Sequence, residues 1–354
     1  MVAMSKTMAG NYFEDFALGQ EIVHATPRTI TEGDVSLYTA LYGARFALTS
    51  AQTFARGLGM ERMPVDGLLA FHVVFGKSVP DVSLNAVANL GYAGGRFGAP
   101  VHVGDTLTAT STVIGLKPNS SGATGNVYVR TIGRNQHDVA VVDYVRWVMV
   151  NRRSRVAADE LGEATIPELP GAVPAEDLVV PWRVVGGYDT ALAGSPYLWD
   201  DYEVGERIDH ADGMTIEESD HMLATRLYQN TAKVHFDQHA QATTRTGRRL
   251  IYGGHVISLA RALSFNGLGN ALSVAAVNGG NHANPTFAGD TIYAWSEVLE
   301  RLELPGRHDV GALRIRTVAA KDHPCADFPL RGEDGRYLPH VVLDLDYTVL
   351  MPRR

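Results

Sequence analysis

One cysteine is present in 354 residues. A lone Cys325 cannot close an intrachain disulfide, which excludes the stapled secreted scaffolds and fits a reducing compartment. Its setting, Lys321-Asp322-His323-Pro324-Cys325-Ala326-Asp327, carries no thiol-enzyme motif. Long apolar runs are missing too. No stretch of about 18 apolar residues occurs, so no membrane-spanning helix is expected. The opening MVAMSKTMAGNYFED has no apolar segment, so no secretory leader is expected either. Positive charge is not in excess: Lys plus Arg number 31 against 39 Asp plus Glu, a net charge of −8. That balance argues against a nucleic-acid partner. The expectation is a cytoplasmic protein with neither a membrane nor a nucleic acid as partner.

Hydrophobic residues make up 45% and charged residues 20%, an ordinary globular balance. The length exceeds what one core usually serves, so two domains are expected. The chain repeats itself. Asp15, Phe16 and Gly19 match Asp201, Tyr202 and Gly205; Ile30, Glu32 and Asp34 match Ile216, Glu218 and Asp220; Leu37, Leu41 and Tyr42 match Leu223, Leu227 and Tyr228. Every pair is 186 residues apart. Downstream, Gly98-Ala99-Pro100 through Gly104-Asp105-Thr106 matches Ala283-Asn284-Pro285 through Gly289-Asp290-Thr291 at an offset of 185. The chain therefore reads as a duplicated unit: residues 1–160, a Pro-, Ala- and acid-rich linker over 161–196, and residues 197–354.

Within a unit the order is a short helix, a buried helix, then strands. Asp34–Leu41 and Asp220–Tyr228 carry Leu at i and i+4. Gly67–Val79 is apolar nearly all round, and Gly254–Leu268 is its partner, so both are expected to be buried helices. Alternation and Val/Tyr content predict strands at Thr106–Leu116, Gly125–Ile132 and Val139–Val150, and again at Thr291–Leu302, Val310–Ala320 and His340–Met351. The last two are separated by a 20-residue insertion, Lys321 to His340. A buried helix followed by an antiparallel sheet implies an α+β tandem (double) hot-dog fold, each unit a curved sheet wrapped around its central helix.

The Gly-Asp-Thr turns, together with Arg226-Leu227-Tyr228-Gln229-Asn230-Thr231-Ala232-Lys233-Val234-His235-Phe236-Asp237, resemble the MaoC-like (R)-specific enoyl-CoA hydratases, whose motif reads Ser-Gly-Asp-x-Asn-Pro-x-His-x-Asp. His235 and Asp237 are kept. Asn230 stands where that family has its catalytic Asp, and Ala232-Lys233 replaces Asn-Pro. Those departures match the mesaconyl-CoA hydratase (β-methylmalyl-CoA dehydratase) subgroup. The resemblance covers both halves and implies a carbon–oxygen lyase that reversibly hydrates mesaconyl-CoA to (2R,3S)-β-methylmalyl-CoA in the central carbon metabolism of CoA thioesters. The partner it implies is a CoA-thioester substrate. In the first unit Ala44 and Thr49 occupy the places of Asn230 and His235, and neither can carry a proton through the reaction. That unit reads as degenerate, a shaper of the acyl pocket.

Hydration of an enoyl thioester needs a base, an acid and donors for an enolate oxygen. His235 is the candidate base or acid, since an ordinary imidazole titrates near neutral pH. Asn230 can orient water but cannot take its proton. Asp237 is the third catalytic candidate, as an orienter of the imidazole or a loop closer; Asp220 is another nearby carboxylate. The oxyanion donors are expected at Gly253 and Gly254, at the start of the buried helix. A free substrate carboxylate needs a cation, and Arg226, Lys233 and Arg45 are the candidates. His235 and His239 have metal-ligand identity but lack further partners at set spacing, so no metal and no cofactor are expected. Alone, His235 would read as a packing residue, Asn230 as a turn residue and the two glycines as a loop. Two rivals share the fold: a thioesterase using Asp66, and a non-catalytic acyl-CoA-binding module. A two-unit chain can mimic a hot-dog dimer as a monomer or pair further as a homo-oligomer.

Overall fold

A computed structural model of the chain describes residues 6–185 and 187–354. Residues 1–5, part of the segment read above for a leader, lie outside the described residues. Among the described residues ten strands form one antiparallel sheet. The first half supplies β1 (Glu21–Thr29), β2 (Ala86–Phe97), β3 (Thr106–Pro118), β4 (Thr124–Arg134) and β5 (Ala140–Asn151). The second supplies β6 (Arg207–Thr215), β7 (Ser273–His282), β8 (Thr291–Glu303), β9 (Val310–Lys321) and β10 (Val341–Pro352). The order β1-β3-β4-β5-β2-β7-β10-β9-β8-β6 reads the same inward from either edge. The seam is β2 against β7, two equivalent strands paired antiparallel, with Tyr92 opposite Gly280 and Arg96 opposite Ala276. The pairing removes an exposed edge from each unit.

Four longer helices sit in the curve of the sheet: α1 (Glu32–Tyr42), α2 (Gly67–Val82), α3 (Glu218–Leu227) and α4 (Gly253–Leu263). Thr31 starts α1 by accepting a hydrogen bond from Asp34 N. All residues from Leu68 to Val79 of α2 and from Gly254 to Leu263 of α4 are buried. α2 packs on β1, β3, β4 and β5, and α4 on β6, β8, β9 and β10. Burial of residues such as Leu69, Val73 and Val74 stabilises the fold by about 1.5–3 kcal/mol each. This is the double hot-dog arrangement.

The two units meet about a pseudo-twofold axis marked by equivalent residues that touch. Tyr42 and Tyr228 share a hydroxyl–hydroxyl hydrogen bond of 2.7 Å, and His72 Nε2 lies 2.9 Å from Ser258 Oγ; both pairs are 186 residues apart. The linker is anchored to the seam: Trp182 is buried and donates to Ser273 Oγ at 3.1 Å, and Val173 N donates to Asn278 Oδ1 at 2.9 Å.

All six expected strands form within two residues of their expected ends. The edge strands β1 and β6 and the seam strands β2 and β7 are additional. The second buried helix starts at Gly253 and breaks at Ser264 into a separate turn, Phe265–Leu268, instead of running unbroken from Gly254 to Leu268. The cause is backbone at Asn266 and Gly267, the latter at φ 107°, outside helical space.

Candidate active site

Gly76 of α2 sets the position of the candidate motif. A Cβ there would meet the Tyr228 carbonyl oxygen at 1.8 Å, so only glycine lets the turn after α3 lie directly on α2. That turn carries Asn230, 4% exposed, whose Oδ1 accepts from Ala232 N at 3.1 Å. A single helical turn, Lys233–Phe236, then presents His235. The His235 Nδ1 donates to the Leu250 carbonyl at 3.0 Å. That bond fixes the tautomer and leaves Nε2 as the lone-pair nitrogen. Burial, aided by repulsion from His221, pushes the imidazole down to about 4, so it is neutral near pH 7.

His235 and Asn230 line a cavity of about 300 Å³ between the units. Gly253, at the start of α4, lines it as well. The residue before it, Tyr252, has no side-chain cap hydrogen bond. The first N–H groups of a helix lack intrahelical acceptors and carry positive potential, and here no side chain of the preceding residue caps them. Gly254 follows it in the same first turn. Both glycines are enforced by packing: a Cβ on Gly253 would lie 2.3 Å from the His282 ring, and one on Gly254 would lie 2.4 Å from the Tyr252 ring.

His282, at the end of β7, is a second imidazole in the wall of the cavity. Burial, then repulsion from His235, holds it down to about 4, and its Nε2 lies 3.3 Å from the Tyr92 hydroxyl. Among the described residues no Asp or Glu lines the cavity. The first unit contributes Phe75, Ser83, Asn89, Tyr92 and Arg146 to the walls.

The other expected site residues lie elsewhere. The Asp237 carboxylate accepts from Ala240 N at 2.9 Å and caps the next helical turn; it does not line the cavity, and the Leu250 carbonyl orients the imidazole in its stead. Asp220 is likewise absent from the lining. Arg226 is exposed and lines an open groove that borders the cavity at Asn230. Lys233 is exposed and outside the lining. Arg45 is exposed and stacks on Phe265, its guanidinium carbon 4.5 Å from the ring centre. Cys325 is buried, and burial pushes its thiol up to about 12, which keeps it protonated. Among the described residues no three His, Cys, Asp or Glu side chains gather as a metal site, and no helix is long and apolar enough to cross a membrane.

A family model described as mesaconyl-CoA hydratase matches residues 3–327. The chain belongs to the mesaconyl-CoA hydratase family. It is 66% identical to a β-methylmalyl-CoA dehydratase of Chloroflexus aurantiacus over 351 residues, 99% of each chain. It is 61% identical to a mesaconyl-CoA hydratase of Cereibacter sphaeroides over 352 residues, 98% of this chain and 100% of that one. Among solved structures, a MaoC domain protein from Chloroflexus aurantiacus is 66% identical, covers 99% of both chains and superposes with a TM-score of 0.97. A Mycobacterium tuberculosis protein with a double hot-dog fold covers 98% of this chain at 24% identity and a TM-score of 0.74, a likeness of fold alone.

Several polar residues of this mesaconyl-CoA hydratase family cavity lie outside the motif, and two of them, His282 and Arg146, carry a sequence signal. His282 is equivalent to Phe97, one residue before the matched Gly98–Ala283 pair, so the repeat held the signal. Arg146 sits between Tyr144 and Val148 on the inward face of the alternating strand β5; a cation on an apolar face was its signal.

Proposed function

We propose that the chain reversibly adds water to mesaconyl-CoA, giving (2R,3S)-β-methylmalyl-CoA, in the cavity between its two units. The observation that carries this reading is the meeting, in one cavity free of carboxylates, of a neutral His235 with a free lone pair and the uncapped N-terminus of α4.

His235 Nε2 takes a proton from a water molecule held by Asn230. The water oxygen bonds to the β-carbon, and the π electrons of the double bond move onto the thioester oxygen. That oxygen lies at the Gly253 and Gly254 N–H groups, where the end of α4 stabilises its charge. The proton on His235 then passes to the α-carbon, and the carbonyl re-forms. The ring is neutral near pH 7 and so has its lone pair free to accept, and its low basicity favours the second step, in which the protonated ring gives the proton up. Asn230 cannot take the proton, so its part is to orient the water. The first unit supplies walls and no proton chemistry.

Incubation with mesaconyl-CoA, with the products separated by chromatography, tests this. β-Methylmalyl-CoA is expected. Free CoA would instead favour a thioesterase, and an unchanged substrate a binding module. A cytoplasmic location fits the single thiol. The monomer already joins two units around one complete cavity, and size-exclusion chromatography reports whether copies pair further.

A further inference from the structure

Arg146 is 0% exposed and has no carboxylate partner among the described residues. Its terminal nitrogens donate to two hydroxyls, Ser78 Oγ at 2.9 Å and Ser83 Oγ at 3.4 Å, and its guanidinium carbon lies 4.4 Å from the centre of the Phe75 ring. Ser83 is the C-cap of α2, where the helix end offers partial negative potential. Nε has no hydrogen-bond partner at all. A guanidinium keeps its charge at any working pH. A buried charge without a counter-charge is strongly unfavourable, so such groups persist where something pairs them.

The other buried arginine facing the units' interior differs. Arg261 donates to the Ala271 carbonyl and to Ser264 Oγ at 3.2 Å, which is the pattern of a structural cross-brace. Arg146 touches no carbonyl and lines the cavity that holds His235. Asn89, on the neighbouring strand β2, lines the same cavity, and both polar atoms of its amide are buried without partners. Two orphaned side chains from one unit thus border one cavity. Together they offer N–H donors and one positive charge, the complement of a carboxylate.

Resting on the hydration reading above, we infer that Arg146 and Asn89 form an anion subsite in the first unit that takes the free carboxylate of a dicarboxylyl thioester. The second unit reacts with the double bond while the first holds the charged end of the acyl group. In mesaconyl-CoA that carboxylate is attached to the carbon that receives the hydroxyl, so holding it also fixes the attacked carbon relative to His235.

Hydration of mesaconyl-CoA is compared with hydration of the (E)-2-methylcrotonyl thioester, in which a methyl group replaces the carboxylate. Arg146→Met is expected to lower kcat/KM for mesaconyl-CoA by about 100-fold or more and to leave the methyl thioester within about threefold. Its Tm holds or rises, because an unpaired buried charge has been removed. Asn89→Asp, which sets a like charge in the subsite, is expected to reduce the preference for mesaconyl-CoA in the same sense. Equal losses on both thioesters in the two folded variants, or no loss in either, overturn the subsite and leave hydration standing. Wild-type protein that hydrates the methyl thioester but not mesaconyl-CoA removes the dicarboxylyl reading itself. If Arg146→Met does not fold, Asn89→Asp decides.

Discussion

The two halves of the molecule present the same helix end in two chemical states. In the second unit, α4 begins behind Tyr252, which leaves the first N–H groups uncapped, and His235 and His282 flank them. In the first unit the equivalent of Tyr252 is Asp66. Its carboxylate caps α2, accepting from Leu68 N at 2.8 Å. Thr49 and Phe97 stand in the places of the two imidazoles, and the cavity has shrunk to about 70 Å³. Burial raises the Asp66 carboxyl above the ordinary carboxylate range. A thioesterase would use that carboxylate as base or nucleophile; here it is occupied in closing the helix end. The same fold thus leaves a helix start without a side-chain cap in one half and closes it with a carboxylate in the other. At this helix end three side chains differ: Asp66 for Tyr252, Thr49 for His235 and Phe97 for His282.

The largest effect should come from removing the base. His235→Ala is expected to lower kcat on mesaconyl-CoA by about 10³-fold, within the range for a general base, while its counterpart Thr49→Ala stays within about twofold. Equal behaviour of the two would break the asymmetry. Next, Tyr252→Asp copies the plugged state into the second unit. A carboxylate at the N-cap competes for the N–H groups and repels an enolate, so kcat should fall by about 10²-fold; Tm should fall as well, because the buried Tyr252 ring is lost from its packing on Phe75 and Tyr228. Wild-type turnover in that variant would take the oxyanion role away from α4. Gly76→Ala should act on both halves at once. Its methyl group collides with the Tyr228 carbonyl, which must shift Asn230. A drop in Tm of several degrees, with kcat reduced by about tenfold, is expected from a thermal melt and an initial-rate assay.

Much of this asymmetry was visible in the sequence because a duplication is its own control. The constant offset sets Thr49 against His235 and Ala44 against Asn230, and on the proposed mechanism that contrast distinguishes the two halves. Strands β3, β4, β5 and the first part of β8 are legible because buried residues alternate along them, whereas β9 and β10, buried over most of their length, are legible as apolar runs rich in β-branched residues. β1 and β6 are not: six of the nine residues in β1 are exposed and only His24 is buried, and Pro27 interrupts its pattern. The seam strands, β2 and β7, carry no strand signal of their own, since glycines interrupt their pattern. Gly95 lies so close to Val277 that a Cβ would meet the Val277 carbonyl at 3.0 Å, a contact set by the partner unit and not by local propensity. Asn89 and Ser83 follow no period and were invisible for the same reason. Arg226, Lys233 and Arg45 stand near the motif in sequence or at its repeat position and do not line the cavity, whereas the antiparallel sheet brings Arg146 of the other unit to its wall.

The smallest effect is one of pH, and it also separates the halves. The reacting unit's His235 and His282 are held down to about 4 by burial, whereas Thr49 and Phe97 do not titrate. In the unfolded chain both rings take up protons as pH falls through about 6.5. In the folded chain they remain neutral until about 4. Between those values the unfolded state binds more protons, so stability is lost as pH falls across the window and levels off above it. His282→Phe, which copies Phe97, removes one of the two rings. The slope of Tm against pH between about 5 and 6.5 should become shallower, by an amount on the order of 1 kcal/mol at pH 5. The acid limb of kcat/KM in the wild type should likewise lie near pH 4, because His235 stays a competent base below the ordinary imidazole range. An acid limb at about 6.5, with an unchanged Tm slope in His282→Phe, would mean that the two imidazoles are hydrated like surface histidines, and the contrast between an open and a plugged helix end would then rest on geometry alone.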